Sequence, residues 1–200
     1  FIPPNGKRTY DGTGYFFSRG INNGSRNLIN NSNIALHYQF NIGDSQSNQI
    51  ANWASGTRVY DNTLYNGASI STSSYKTGNS SLYLNKDYGI QYLLNSSTTS
   101  TTDGLSFSVW YRSNSSNIWA RIFDFGNGAN VDNIGISANA GNNNWLGFFC
   151  TPGDNFYLSD INYNDNKWRH IVWTLTYSPE ANYTSIWKIY IDGELKANLS

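Results

Sequence analysis

The sequence predicts an all-β domain, an antiparallel sandwich or barrel of short strands joined by polar turns. Three observations predict it. Strand and turn formers dominate: Asn, Ser, Thr, Gly and Tyr abound and seven Trp are present, whereas Glu occurs twice and Lys is sparse. Apolar residues recur with period two in run after run, and no window of helical period exceeds two turns. Turn signals interrupt these runs about every ten residues, the spacing of sandwiches and barrels.

In chain order, residues 1–33 read as an irregular N-terminal arm or linker, with Pro3-Pro4, Asn5-Gly6 and "GINNGSRNLINNSN" and only scattered apolar residues. The domain is expected to start near Ile34. "IALHYQF" (34–40) alternates Ile34, Leu36, Tyr38 and Phe40 against Ala35, His37 and Gln39, as a half-buried strand does. A long polar connection anchored by Trp53 and Tyr60 leads to short runs at 81–84 and 89–94. "GLSFSVWYR" (104–112) alternates Leu105, Phe107, Val109 and Tyr111 against Ser106, Ser108 and Trp110.

"IWARIFDF" (118–125) and "NIGISA" (133–138) are expected to pair through the turn that begins Gly126-Asn127-Gly128. Strict alternation there puts Trp119, Arg121, Phe123 and Phe125 on one face. Asp124 then falls on the other, with Ile118, Ala120 and Ile122, as a buried, hydrogen-bonded residue. "NWLGFFCT" (144–151) and "NFYLSD" (155–160) flank Pro152-Gly153. "KWRHIVWTLTY" (167–177) alternates Ile171, Trp173 and Leu175 against His170, Val172 and Thr174. "SIWKIYI" (185–191) then meets Asp192-Gly193, a strong hairpin signal because a type I′ turn needs positive φ at both central residues.

The same composition excludes several functions. Thirteen basic and thirteen acidic residues cancel, and charged residues are 13% of the chain, so the basic patch of a nucleic-acid binder is not expected. No apolar run approaches the roughly 20 residues that span a bilayer, and no membrane insertion is expected. With Phe at position 1, no signal peptide and no Met, the chain reads as a mature or trimmed product. Cys150 is the only cysteine and lies in an apolar run, as a buried thiol does. Asn-x-Ser/Thr acceptors begin at Asn23, Asn30, Asn79, Asn95, Asn114, Asn182 and Asn198, and would permit glycosylation in a secretory pathway.

Catalytic patterns are missing. Glycoside hydrolysis needs two carboxyls about 5–10 Å apart, hence acidic residues at i and i+2 or i+4 of one strand, and no expected strand carries such a pair. His37 and His170 each sit in an expected strand, as core or inter-strand residues, and neither a Gly-x-Ser-x-Gly elbow nor a His/Cys metal cluster occurs. The Gly126-Asn127-Gly128 turn lacks the lysine and the helix of a phosphate loop.

Five stretches then occur in a familiar order: "GNSSLYL" (78–84), "LSFSVWYR" (105–112), "RIFDFGNG" (121–128), "NDNKWRHIVWTL" (164–175) and "WKIYIDGEL" (187–195). Over about residues 34–200 the chain resembles the laminin-G-like, concanavalin A-like jelly rolls related to pentraxins and legume lectins. Residues 36–71, with "LHYQF", "IANWASG" and "NGASIS", are similar to versions found in large DNA viruses and some microbes. The resemblance implies a concanavalin A-like antiparallel β-sandwich. Such domains usually close with further strands after the hairpin, so 34–200 reads as a jelly roll lacking its last C-terminal strands, part of a larger protein.

The resemblance also implies candidate sites. Many such domains hold Ca²⁺ at the sandwich rim through carboxylates, amides and carbonyls; Asp44 and Asp132, the latter with Asn130 and Asn133, are the candidate ligands, and Asp154 with Asn155 a weaker pair. Apart from the resemblance, the loops offer a sugar site, with exposed Tyr or Trp as a stacking platform beside amides: Trp145 among Asn142–Asn144, and Tyr157, Tyr163 and Asn164 nearby. The expectation is a non-enzymatic recognition or attachment module for a glycan or a surface protein. It would belong to a larger extracellular or virion-surface protein. The alternatives are a structural component that contacts neighbouring subunits in a virion or extracellular assembly and, last, a carbohydrate-active enzyme.

Overall fold

The computed structural model describes residues 34, 36–54, 57–84, 89–91, 104–126, 131, 133–150, 153, 155–177 and 185–199. The expected arm 1–33 lies outside this set, as do Asn127, Gly128, Asn130, Asp132 and Asp154. Among the described residues there is no helix. The strands are β1 (Ser45–Gln46), β2 (Gln49–Asn52), β3 (Val59–Tyr65), β4 (Ser69–Ser71), β5 (Ser81–Tyr83), β6 (Gly89–Gln91) and β7 (Gly104–Tyr111). They continue with β8 (Ala120–Phe125), β9 (Ile134–Ala140), β10 (Trp145–Cys150), β11 (Asn155–Leu158), β12 (Arg169–Tyr177), β13 (Ser185–Ile191) and β14 (Glu194–Leu199).

Two antiparallel four-stranded sheets, ordered β14-β13-β12-β7 and β11-β10-β9-β8, form the sandwich. The period-two reading holds in the first. Ile171, Trp173 and Leu175 of β12 pair with Ile191, Ile189 and Trp187 of β13 and with Val109, Phe107 and Leu105 of β7, so all three strands turn one apolar row inward. The second sheet answers with Ile136, Ala138, Leu146, Phe148 and Leu158 in the same buried cluster. Trp173 is the central piece. Its ring lies 5.6 Å from Phe107, 5.5 Å from Phe148 (edge-on, at 78°) and 5.1 Å from Trp187. Each such pair contributes about 0.5–1.5 kcal/mol beyond burial. Cys150 packs against this cluster, partly buried.

The Asp192-Gly193 turn joins β13 to β14 with φ of 54° and 88°, the positive pair that the sequence demanded. A third sheet, β1-β2-β3-β6, and the ladder β4-β5 precede the sandwich. The segment after β4 docks on it: Arg112 donates to Ser74 Oγ at 2.5 Å, and the Lys76 ammonium sits 4.8 Å above the Trp110 ring.

The strand expected over 34–40 does not form among the residues described there. Phe40 takes φ of 53°, which breaks an extended run. The segment is held by single bonds instead of a ladder: Asn52 Oδ1 accepts from the His37 amide, His37 O accepts from the Trp53 amide, and Phe40 O accepts from Ser80 Oγ.

Candidate functional site

One face of the β8–β11 sheet packs on the core, and the other is built by two irregularities that alternation does not foresee. In β8, Arg121 pairs with Ser137 and Phe123 with Ile136, so Ile122 is an extra, bulged residue. Ile122 and Phe123 both pack on the core, and the phase resets after them. Arg121 and Asp124 therefore share the outer face, contrary to the expectation that Asp124 is buried. Arg121 Nε donates to Asp124 Oδ2 at 3.0 Å, and Asn133 Nδ2 donates to Asp124 Oδ1 at 2.9 Å. The Arg121 guanidinium also covers the Phe149 ring at 4.7 Å.

The second irregularity lies at the far end of β9. Trp145 pairs with Ala140 but Gly147 pairs with Ser137, and Asn139, at φ of 51°, absorbs the extra residue. Its carbonyl accepts from the Trp119 amide at 3.2 Å, and its side-chain amide donates to the Ser115 and Asn117 carbonyls. Asparagine tolerates this left-handed conformation better than most residues. The bulge re-aims Ala140 toward Gly147, where an added Cβ would lie 3.0 Å from Ala140 Cβ, 3.0 Å from Ser137 Oγ and 3.4 Å from Trp119 Cζ3.

Around Gly147 stand three aromatic rings. Tyr157, its partner on β11, lies 6.2 Å from Trp145 (tilted 50°) and 6.0 Å from Trp119 (tilted 59°). Trp119 and Tyr157 are each 38% exposed and Trp145 is half-buried. Exposed amides border the group at Asn142, Asn143 and Asn155. The arrangement offers apolar ring faces beside hydrogen-bonding groups, and the nearby Arg121 guanidinium is neutralised by Asp124.

The sequence-predicted residues divide. Trp145 and Tyr157 come together on this face, as stated. Tyr163 does not: it is 1% exposed, with its hydroxyl donating to Asp160 at 2.5 Å and Arg169 over its ring at 5.3 Å, so it offers no face to a ligand. Asn144 is a strut. Its Oδ1 accepts from Asn164 and its carbonyl accepts from the Tyr163 amide, which fixes the turn before Trp145. Trp119 and Arg121 were not among the expected site residues. Trp119 precedes β8 and is set on this face by its positive φ and its bond to Asn139 O, and the β8 bulge after Arg121 sends Phe123 and Phe125 to the core instead of beside it.

Asp44 is likewise a structural residue. It is 1% exposed, its Oδ2 accepts from the Asn41 amide at 2.8 Å and its Oδ1 meets Arg58 at 3.4 Å, so the oxygens proposed for calcium serve a turn and an ion pair. Asp132 lies outside the described residues. Among the described residues no group of three or more His, Cys, Asp or Glu side chains converges as a metal site.

His170 is an inter-strand residue on the outer face of the other sheet, stacked on Trp110 at 4.9 Å with Nε2 2.9 Å from Ser108 Oγ. Burial lowers its pKa, partly offset by Asp192. Burial also pushes the Tyr111 and Tyr163 hydroxyls well above the ordinary tyrosine value, which removes both as acid–base groups near neutrality.

In comparison with known proteins, the model of the concanavalin A-like lectin/glucanases superfamily, laminin G type, matches residues 86–200, more than half of the chain and all of this face. No curated protein and no solved structure matches.

Proposed function

Because the chain belongs to the concanavalin A-like lectin/glucanases superfamily, we propose that it is a glycan-recognition module that binds through the outer face of the β8–β11 sheet. Laminin G-like domains in general bind carbohydrate or protein, so the family alone leaves the ligand class open. One observation favours a sugar: the Trp145 and Tyr157 rings stand beside Gly147, with the Trp119 edge over it, on a face bordered by exposed amides. A pyranose ring carries C–H groups on its faces and hydroxyls on its edge. Ring faces satisfy the first and asparagine amides the second.

Catalysis forms no part of this reading. Asp124, the carboxylate on this face beside Arg121, has one oxygen held by Arg121 and the other by Asn133. A hydrolase needs a second carboxyl across the bond from the first. Recognition without turnover suits an attachment role in a larger, surface-exposed protein, the virion surface being one such setting.

An array of immobilised neutral and acidic oligosaccharides, probed with and without a chelator, tests the reading. The expected result is binding of neutral pyranosides that survives chelation, since among the described residues no acidic cluster frames the rings. Failure to retain any oligosaccharide in either condition would sink it.

A further inference from the structure

Two unfavourable features meet at one point of this face. Trp119 has φ of 61°, a conformation that bulky residues rarely adopt and that persists only when its surroundings impose it. Its backbone is pinned on both sides, the amide donating to Asn139 O and the carbonyl accepting from Arg121. What this holds in place is the indole edge over Gly147. Beside it the Ser137 hydroxyl is 0% exposed and has no hydrogen-bond partner among the described residues. A buried hydroxyl without a partner is disfavoured, and native proteins leave few. Ser137 sits between Arg121 and Gly147 in the sheet, and its Oγ points to the same spot over Gly147 as the indole.

We propose that Gly147 and the Ser137 hydroxyl form the floor of a sugar subsite that the Trp119 indole closes from above. The inference rests on the glycan reading and adds to it a position and a residue for specificity. When the indole swings outward, the opening is walled by Trp145, Tyr157 and Ala140, with one hydroxyl at its base. A pyranose ring then takes the place of the indole: its face lies over Gly147 and the Ala140 methyl, and an edge hydroxyl exchanges a hydrogen bond with Ser137 Oγ. The glycine is the reason that a ring can approach the strand so closely. Trp119 thus competes with the ligand, and Trp145 and Tyr157 receive it.

The cover is tested without any sugar. In a Cys150→Ala background, Ser137→Cys places a thiol beneath the indole, and its modification by a maleimide is timed in denaturant-free buffer. The expected result is slow modification that needs no global unfolding and that Trp119→Gly accelerates by about tenfold or more. Equal rates with and without Trp119, or reaction only on unfolding, overturn the proposal. Since Ser137→Cys places a larger atom in a tight spot, fluorotryptophan labelling of the unsubstituted chain gives a second readout. The Trp119 signal, identified by Trp119→Phe, is expected to be exchange-broadened while Trp173 and Trp187 stay sharp; a sharp Trp119 signal overturns the cover.

The sugar role is read on the oligosaccharide array. Trp119→Gly should strengthen binding several-fold and Ser137→Ala weaken it several-fold. Binding indifferent to both substitutions overturns the subsite and leaves the glycan reading standing, whereas no binding by any variant overturns the glycan reading itself.

Discussion

Asp44 shows how a residue type and its environment part company. An aspartate between polar turns looks like a rim ligand for calcium, yet here its carboxylate caps a turn at Asn41 and faces Arg58. A buried carboxylate is tolerated when hydrogen bonds and a cation replace water around it. Asp44→Ala would leave the Asn41 amide without its acceptor and Arg58 without its counter-charge. The expected cost is about 1–3 kcal/mol, read as a lower urea midpoint with no dependence on added calcium. An unchanged midpoint together with a lost calcium response would return Asp44 to the metal. Tyr163 makes the same point for ring faces: an aromatic in an Asn-rich loop reads as exposed, but Arg169 and Asp160 lock it inside.

Among the elements, β7, β12 and β13 were legible because their alternation runs without interruption, and the β13–β14 hairpin because Asp-Gly has few other uses. The faces of β8 and β9 were not. A bulge inserts one residue and inverts every side chain beyond it, and nothing in "ARIFDF" marks Ile122 as the extra one. That single slip moved Asp124 from the expected interior to the surface beside Arg121. Asn139 was a weaker omen, since asparagine adopts positive φ readily but this chain is crowded with asparagines. The pairing of β8 with β9 also rests on Gly135. A Cβ there would meet Phe123 O at 2.7 Å and the Phe149 ring at 2.5 Å, and backbone cannot step aside as a side-chain tip can. Gly135→Ala is expected to destabilise by about 1–3 kcal/mol in chemical denaturation, whereas a neutral outcome would mean that this register is wrong.

For the molecule as a whole, the aromatic core between the two sheets holds the fold, and few charges contribute to it. Titration should therefore be felt through a handful of groups. His37 and His170 both have pKa values lowered below 6.5, by burial first, with Asp44 and Asp192 opposing. Between the folded and unfolded values the unfolded chain binds more protons, so stability falls as pH drops through about 6.5 and levels off below the folded values. A second loss follows at lower pH. Asp160 is held below 3.8 chiefly by the Tyr163 hydroxyl, and Asp165 by Lys167 and Arg169 against the opposing effect of burial. Their contribution is present above the ordinary carboxylate value and fades as pH falls through the folded ones. Urea midpoints followed from neutral to acid pH should show both steps. His170→Phe, which keeps a ring on Trp110, should shrink the upper one; a step of unchanged size would remove His170 from the explanation.

Sugar binding beside Gly147 is read directly by calorimetric titration of the strongest array hit. Trp145→Ala and Tyr157→Ala together should weaken binding by at least about 2 kcal/mol, roughly thirtyfold, as the loss of central aromatic anchors does. Trp110→Phe, on the outer face of the opposite sheet, should leave it unchanged. Full affinity in the double variant, or a loss of equal size in Trp110→Phe, would mean that the sugar is not held by the Trp145 and Tyr157 rings.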